Sequence, residues 1–125
     1  MLDTNVAIHL RDRDVAVRSK LAALTDAVMI SIVTRVELEG GVYSDPAKTA
    51  IRRRRLDAIL ETLPTVEFDG AAADAYRTIL ERLGYSRRKV LDRMIAAQAI
   101  VHRATVITMN AADFNEIAGL EVVAW

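Results

Sequence analysis

Four carboxylates occupy equivalent places in this chain. Asp3 closes a short apolar start in Leu2-Asp3-Thr4-Asn5, and Glu37 follows the apolar run in Ser31-Ile32-Val33-Thr34-Arg35-Val36-Glu37. Asp92 opens the apolar segment Met94 to Val101, and Asp113 follows Thr105 to Thr108 in Thr108-Met109-Asn110-Ala111-Ala112-Asp113-Phe114. Each lies just past a strand-like stretch or close to the beginning of a helix-like one. In an open α/β sheet those junctions gather along the carboxyl edge of the strands, where ligand crevices form. Carboxylates that converge repel one another unless they take up protons or share a positive charge. A divalent cation supplies that charge, and oxygen ligands without cysteine or a histidine cluster suit Mg²⁺ or Mn²⁺. The chemistry expected of such a site is activation of water and in-line hydrolysis of a phosphodiester.

Taken singly, each acid also has a plainer use. Thr34-Arg35-Val36-Glu37 fits a capping box. Asp92 fits an N-cap, Asn110 with Asp113 fits the cap of a following short helix, and Asp3 beside Thr4 and Asn5 fits a strand-to-helix turn. The coincidence of all four in one kind of location favours the shared site.

The elements that must position them alternate. Short, β-branched apolar stretches at Met1-Leu2, Val28 to Ile32, Val66 to Phe68, Thr105 to Thr108 and Leu120 to Val123 read as buried parallel strands. Between them, helical periodicity runs from Ala47 to Leu63, from Ala71 to Leu83, where Gly84 stops it, and from about Lys89 to His102. The fold class expected is an α/β three-layer sandwich with a mainly parallel central sheet of four to five strands. The length of 125 residues suits one domain over 1–125.

Composition narrows the function classes. Seventeen basic and seventeen acidic residues cancel, so a polyanion must be met by a local patch instead of a global field. The absence of cysteine excludes disulfide and thiolate chemistry and fits a reducing compartment, with the cytoplasm as the expected location. No apolar stretch approaches the roughly 18 residues of a membrane span, and early charges spoil a signal peptide. With 52% hydrophobic and 27% charged residues the chain is expected to fold.

The ordered set of motifs resembles the PIN-domain family, and within it the toxin ribonucleases of VapBC-type toxin–antitoxin pairs and the FitB-like proteins. The pieces are Leu2-Asp3-Thr4-Asn5, Glu37-Leu38 with Gly40, Ala72 to Tyr76 before Gly84, Asp92-Arg93-Met94-Ile95-Ala96-Ala97, and Thr108-Met109-Asn110 with Asp113-Phe114. The resemblance implies that Asp3, Glu37, Asp92 and Asp113 form an acidic quartet holding Mg²⁺ or Mn²⁺, with Thr4, Asn5, Thr108 and Asn110 as its polar supporting shell. It further implies an endoribonuclease acting on RNA, a homodimer, and a cognate antitoxin whose tail enters the active groove. Only Met1 and Leu2 precede Asp3, a short first strand for the family, which leaves a start upstream or a frayed edge open. The fourth acid varies most across the family, with Asn110 as the alternative to Asp113.

Among the remaining residues, Arg87, Arg88, Lys89 and Arg93 adjoin Asp92 and form a candidate RNA-backbone patch. Arg52 to Arg55 spray around a helix at about 100° per residue and are expected to face water. His9 and His102 are not expected to meet, which disfavours a two-imidazole ribonuclease. Trp125 is expected to pack against an edge strand or a partner subunit. Two other readings compete: a catalytically silent PIN-fold binding module, and a phospho-acceptor receiver domain with Asp69 as acceptor.

Overall fold

Successive residues along a strand face opposite ways, and in this protein that alternation divides the core between two faces. The computed structural model describes all residues from Met1 to Trp125. Met1 and Val106 pack with Val33, Ile79, Ile95 and Phe114 on one side. Their neighbours Leu2, Ile107 and Ile30 pack with Val6 and Val17 on the other. A third cluster of Ala7, Leu38, Val42 and Leu56 lies among the helices of that second side.

The elements run α1 (Thr4–Arg11), α2 (Val15–Ala22), β1 (Ile30–Ser31), α3 (Ile32–Tyr43), α4 (Thr49–Thr62), β2 (Thr65–Val66), α5 (Gly70–Leu83), α6 (Val90–Val101), β3 (Val106–Thr108) and β4 (Val122–Ala124). Short 3₁₀ turns precede α4 at Pro46–Lys48 and α6 at Arg87–Lys89, and another covers Ala111–Asp113. β1 pairs in parallel with β2, and β3 with β4. Leu2 bridges in parallel to both Ile30 and Ile107, so a single residue joins the two pairs.

The strands are shorter than the sequence predicts. The apolar start contributes the Leu2 bridge alone, and the stretch Val28 to Ile32 yields only Ile30–Ser31. The physical reason is a cap. The Ser31 hydroxyl accepts the Val33 amide at 2.9 Å and turns the β-branched run that follows into α3. Capping thereby overrides the strand preference of Ile32, Val33 and Val36. Asp3, Asp14 and Asp69 cap α1, α2 and α5 in the same way, accepting the amides of Val6, Val17 and Ala72. The helices α1, α2 and α3 are therefore set by polar caps, and no apolar periodicity announced them.

The predicted later helices are present, with trimmed starts where the 3₁₀ turns stand. Gly84 ends α5 with φ of 75°, a conformation that disfavours any side chain. α5 packs against α6, and α3 against α4. Arg52 and Arg53 do not simply face water as expected. Arg52 donates to the Gly41 carbonyl at 2.8 Å, and Arg53 reaches Glu39 and Asp57, so both tie α4 into its surroundings. Trp125 is half-buried beside the Leu2 cluster, with the Lys20 ammonium 5.9 Å from its ring centre. No helix is long and apolar enough to cross a membrane.

Candidate active site

The first acid sits where the chain leaves the Leu2 bridge and enters α1. Asp3 is 4% exposed. One carboxylate oxygen accepts the Val6 amide at 2.9 Å, and the other accepts the Thr108 hydroxyl at 2.5 Å. Thr108, at the end of β3, in turn accepts the Asn110 amide at 2.9 Å. Asp3 is thus both a helix cap and a bridge between the first and last thirds of the chain. Burial pushes its pKa up, the bonds from Thr108 and Val6 pull it down, and the charge of Asp113 adds to the rise.

Glu37 lies within α3, not at the end of a strand, and Thr34 is inside the same helix, so the capping-box reading fails. The Thr4 hydroxyl donates to Glu37 Oε2 and lies 3.2 Å from the Thr34 hydroxyl. Thr34 is fully buried, three residues before Glu37 on the same helical face. Sequence reasoning missed it as a support for the acids, although its place three residues before Glu37, one helical turn away, was a usable signal.

Asp92 stands in the first turn of α6 and is not its cap, which is the Lys89 position. Asp113 ends the 3₁₀ turn, where its carboxylate accepts the Asn110 side-chain amide at 2.5 Å. Asn110 spends its amide on Asp113 instead of capping the turn. Asn5 is exposed beside Asp3, with its backbone N–H directed to that carboxylate.

One electrostatic fact joins the four. Burial pushes the Asp92 carboxyl up to about 6, and the negative charges of Asp113, Asp3 and Glu37 add to the rise against a smaller pull from Lys89. All four acids share a field. Three of them are turned toward neutral donors, Asp3 to Thr108, Glu37 to Thr4 and Asp113 to Asn110. No three of the chain's His, Asp and Glu side chains close on a common point as direct metal ligands. Each of those three acids is instead engaged by its own local hydrogen bond.

The donor set is nonetheless the kind a hard cation takes. Mg²⁺ is held through one or two carboxylates while keeping several waters, so a three-carboxylate cage is not required. Burial raises the Asp92 carboxyl most, and the charges of Asp113, Asp3 and Glu37 add to it. None of the four acids lines the main hollows of the protein. A hollow of about 340 Å³ lies between α5 and residues 116–119, and its walls include Ile79, Leu83, Ile100 and Ile117. Asp3 is buried, and Glu37, Asp92 and Asp113 are half-buried.

The expected basic neighbours divide. Arg87 and Arg88 are exposed on the turn before Asp92. Lys89 and Arg93 are directed to Glu116, and Arg93 is 3% exposed, so its guanidinium is not presented to a ligand. His9 pairs with Asp14 at 3.4 Å, while His102 caps α6. Asp69, the acceptor of the receiver reading, is occupied as the α5 cap.

Residues 1–120 match the family described as PIN domain. The chain belongs to the PIN-domain family. Among its PIN relatives, Ribonuclease VapC2 of Rickettsia felis is 30% identical over 131 aligned positions, which cover 100% of this chain and 96% of that protein. The crystal structure of VapBC2 from Rickettsia felis bound to a DNA fragment from its promoter contains a chain that superposes with a TM-score of 0.86 at 28% identity. That match covers 100% of this chain and 97% of the other. A toxin–antitoxin complex from Klebsiella pneumoniae gives a TM-score of 0.76 at 27% identity, with 98% and 94% of the two chains covered. This PIN chain spans nearly the whole length of each.

Proposed function

We propose that this protein is a metal-dependent endoribonuclease, the toxin of a toxin–antitoxin pair, which hydrolyses phosphodiester bonds of RNA. The observation that carries the reading is the gathering of four acids, with Thr108 holding Asp3, Thr4 holding Glu37 and Asn110 holding Asp113, while burial first and the other three charges second raise the Asp92 carboxyl. A purely structural cluster gains nothing from such repulsion, whereas a site that takes a cation does. The full-length similarity to a protein named Ribonuclease VapC2 supplies the substrate class. The similarity to chains of VapBC and toxin–antitoxin complexes supports an antitoxin partner. A homodimer silenced by that antitoxin completes the reading.

In this reading Asp3, Glu37, Asp92 and Asp113 hold Mg²⁺ or Mn²⁺. A cation held by these residues would supply activation of water and stabilisation of charge on the phosphoryl oxygens. The chain's own residues do the positioning. Thr108 and the Val6 amide fix both oxygens of Asp3, Thr4 orients Glu37, and Asn110 orients Asp113. Arg87 and Arg88, exposed on the approach to Asp92, draw the RNA backbone to the edge by charge alone. With only 5% aromatic residues the protein has few platforms for stacking bases, so recognition rests mainly on backbone and shape.

The test is cleavage of RNA in Mn²⁺ by the wild type, Asp3→Asn and Asp92→Asn. Each substitution is expected to lower kcat about 10³-fold, equivalent to roughly 4 kcal/mol of lost transition-state stabilisation, while circular dichroism stays unchanged. A double variant that cleaves at the wild-type rate rejects the nuclease reading and leaves the silent PIN-fold module in its place.

A further inference from the structure

Threonine, asparagine and backbone groups hold Asp3, Glu37 and Asp113 from within the site. The start of α6, which carries Asp92, is held from outside it. α6 has no side-chain cap, and the residue that takes over is Glu116, three positions beyond Asp113. Its Oε1 accepts the Lys89 ammonium at 2.6 Å and lies 3.5 Å from Arg93 Nη2. Lys89 precedes Asp92 by three residues and Arg93 follows it by one. One carboxylate oxygen therefore joins both flanks of Asp92 to the segment that bears Asp113.

Burial anchors the Arg93 half of that junction. The Arg93 side chain is 4% exposed, its Nη1 donates to the Gly84 carbonyl at 2.6 Å, and its Nε has no partner. Glu116 is the carboxylate within ion-pair reach of it. A buried guanidinium cannot move away from its counter-charge without being left uncompensated in a poorly solvated place. Lys89 and Arg93, expected from sequence to touch RNA, are thus turned to an internal task.

We propose that Glu116 is a positioning residue of the acid quartet: through Lys89 and Arg93 it fixes the first turn of α6 against the Ala111–Asp113 turn and so sets the separation of Asp92 and Asp113. Its consequence for catalysis rests on the nuclease reading above, but its consequence for cation affinity does not.

The experiment uses the full chain, with Mn²⁺ titration followed by calorimetry, steady-state RNA cleavage, and thermal melting as the control for folding. Glu116→Gln keeps the shape and removes the charge. It is expected to weaken Mn²⁺ binding and lower kcat by about 10-fold each, the lower end of what outer-shell partners of metal ligands contribute. KM is expected to stay within about twofold, and Glu116→Asp to recover most of both losses, because the charge rather than the volume is what acts. Wild-type Mn²⁺ affinity and kcat in a folded Glu116→Gln overturn the proposal. So does a change confined to KM, which would make the cluster an RNA contact.

If Glu116→Gln does not fold, Lys89→Met decides. It leaves the contact of buried Arg93 with Glu116 in place, and about 3-fold weaker Mn²⁺ binding is expected of it because one of the two ties remains. Unchanged Mn²⁺ affinity in Lys89→Met overturns the proposal. A wild type that takes up Mn²⁺ and cuts no RNA removes the nuclease reading while the variants still judge the clamp by affinity. A wild type that takes up no Mn²⁺ overturns both.

Discussion

Two charged regions of this molecule treat their charges in opposite ways. Along the seam between α3 and α4, Arg35, Glu39, Arg53 and Asp57 answer one another inside the fold. Arg53 donates to Glu39 at 2.5 Å and to Asp57 at 2.7 Å, Arg35 stands 3.7 Å from Glu39, and Arg52 spends its guanidinium on the Gly41 carbonyl. Along the acid edge, Asp3, Glu37 and Asp113 meet neutral donors, and the cation nearest to Asp92 is committed to Glu116. A fold selected for stability alone has no reason to leave four anions without a counter-ion. In the proposed nuclease reading, the difference is that the acid edge gives up stability for chemistry.

The largest effect expected from that difference is stabilisation of the edge by a cation. A ligand that binds only the folded state stabilises it by about 2.7 kcal/mol at a hundred times its dissociation constant. For a domain of this size that amounts to a rise in Tm of roughly 10 °C. Melting in excess Mn²⁺ against EDTA is expected to show this rise in the wild type and to lose it in Asp3→Asn/Asp92→Asn. An equal rise in both proteins would move the cation elsewhere and erase the contrast between the two regions.

A smaller effect appears without any metal. The Asp92 carboxyl, pushed up to about 6 from its ordinary value of 3.8, binds its proton more tightly in the folded than in the unfolded chain. Its contribution is therefore unfavourable once the pH exceeds about 6, and it fades as the pH falls through 6 toward 4. Discounted for partial exposure, the cost is on the order of 1–2 kcal/mol. Asp92→Asn in EDTA is accordingly expected to be more stable than the wild type at pH 7.5, with the gap closing by pH 4. Urea titrations at the two pH values measure it. A destabilised Asp92→Asn at pH 7.5 would mean that the edge is compensated after all.

What the sequence disclosed follows from how local each signal is. Asp3, Glu37, Asp92 and Asp113 stood out because their apolar neighbours marked strand ends and helix starts, and the structure does bring all four into one field. The helices α4, α5 and α6 were legible from periodicity. The helices α1 and α2 are eight residues each, too short for a periodic stripe to declare itself, and rest instead on the caps Asp3 and Asp14. α3 was concealed because Ile30 to Val36 is rich in β-branched residues, the composition of a strand, while one hydroxyl at Ser31 decides the outcome. The inward task of Lys89 and Arg93 was illegible for another reason. Charge next to Asp92 looks the same in sequence whether it meets RNA or Glu116, and only the return of the chain through residues 113–116 separates the two.

The smallest effect belongs to the compensated seam. Arg53 is 30% exposed, and its partners Glu39 and Asp57 are 34% and 56% exposed, so water and salt screen both pairs. Such pairs contribute between nothing and about 1 kcal/mol each, and Arg53→Gln is expected to lose about 0.5–1 kcal/mol in total, less at high salt. The sign of its pH dependence is the useful part. The hydrogen bonds from Arg53 hold the Glu39 carboxyl below its ordinary value, so the stabilisation is present above the unfolded pKa and is lost as the pH falls through the folded one. The deficit of Arg53→Gln should thus vanish in acid, where the pair no longer exists. Asp92→Asn also converges with the wild type in acid, but from the opposite side, as a gain that disappears. RNA cleavage by Arg53→Gln is expected to equal that of the wild type, because neither of its carboxylate partners belongs to the quartet. A cleavage defect there at unchanged stability would show that the seam and the edge are one electrostatic system rather than two.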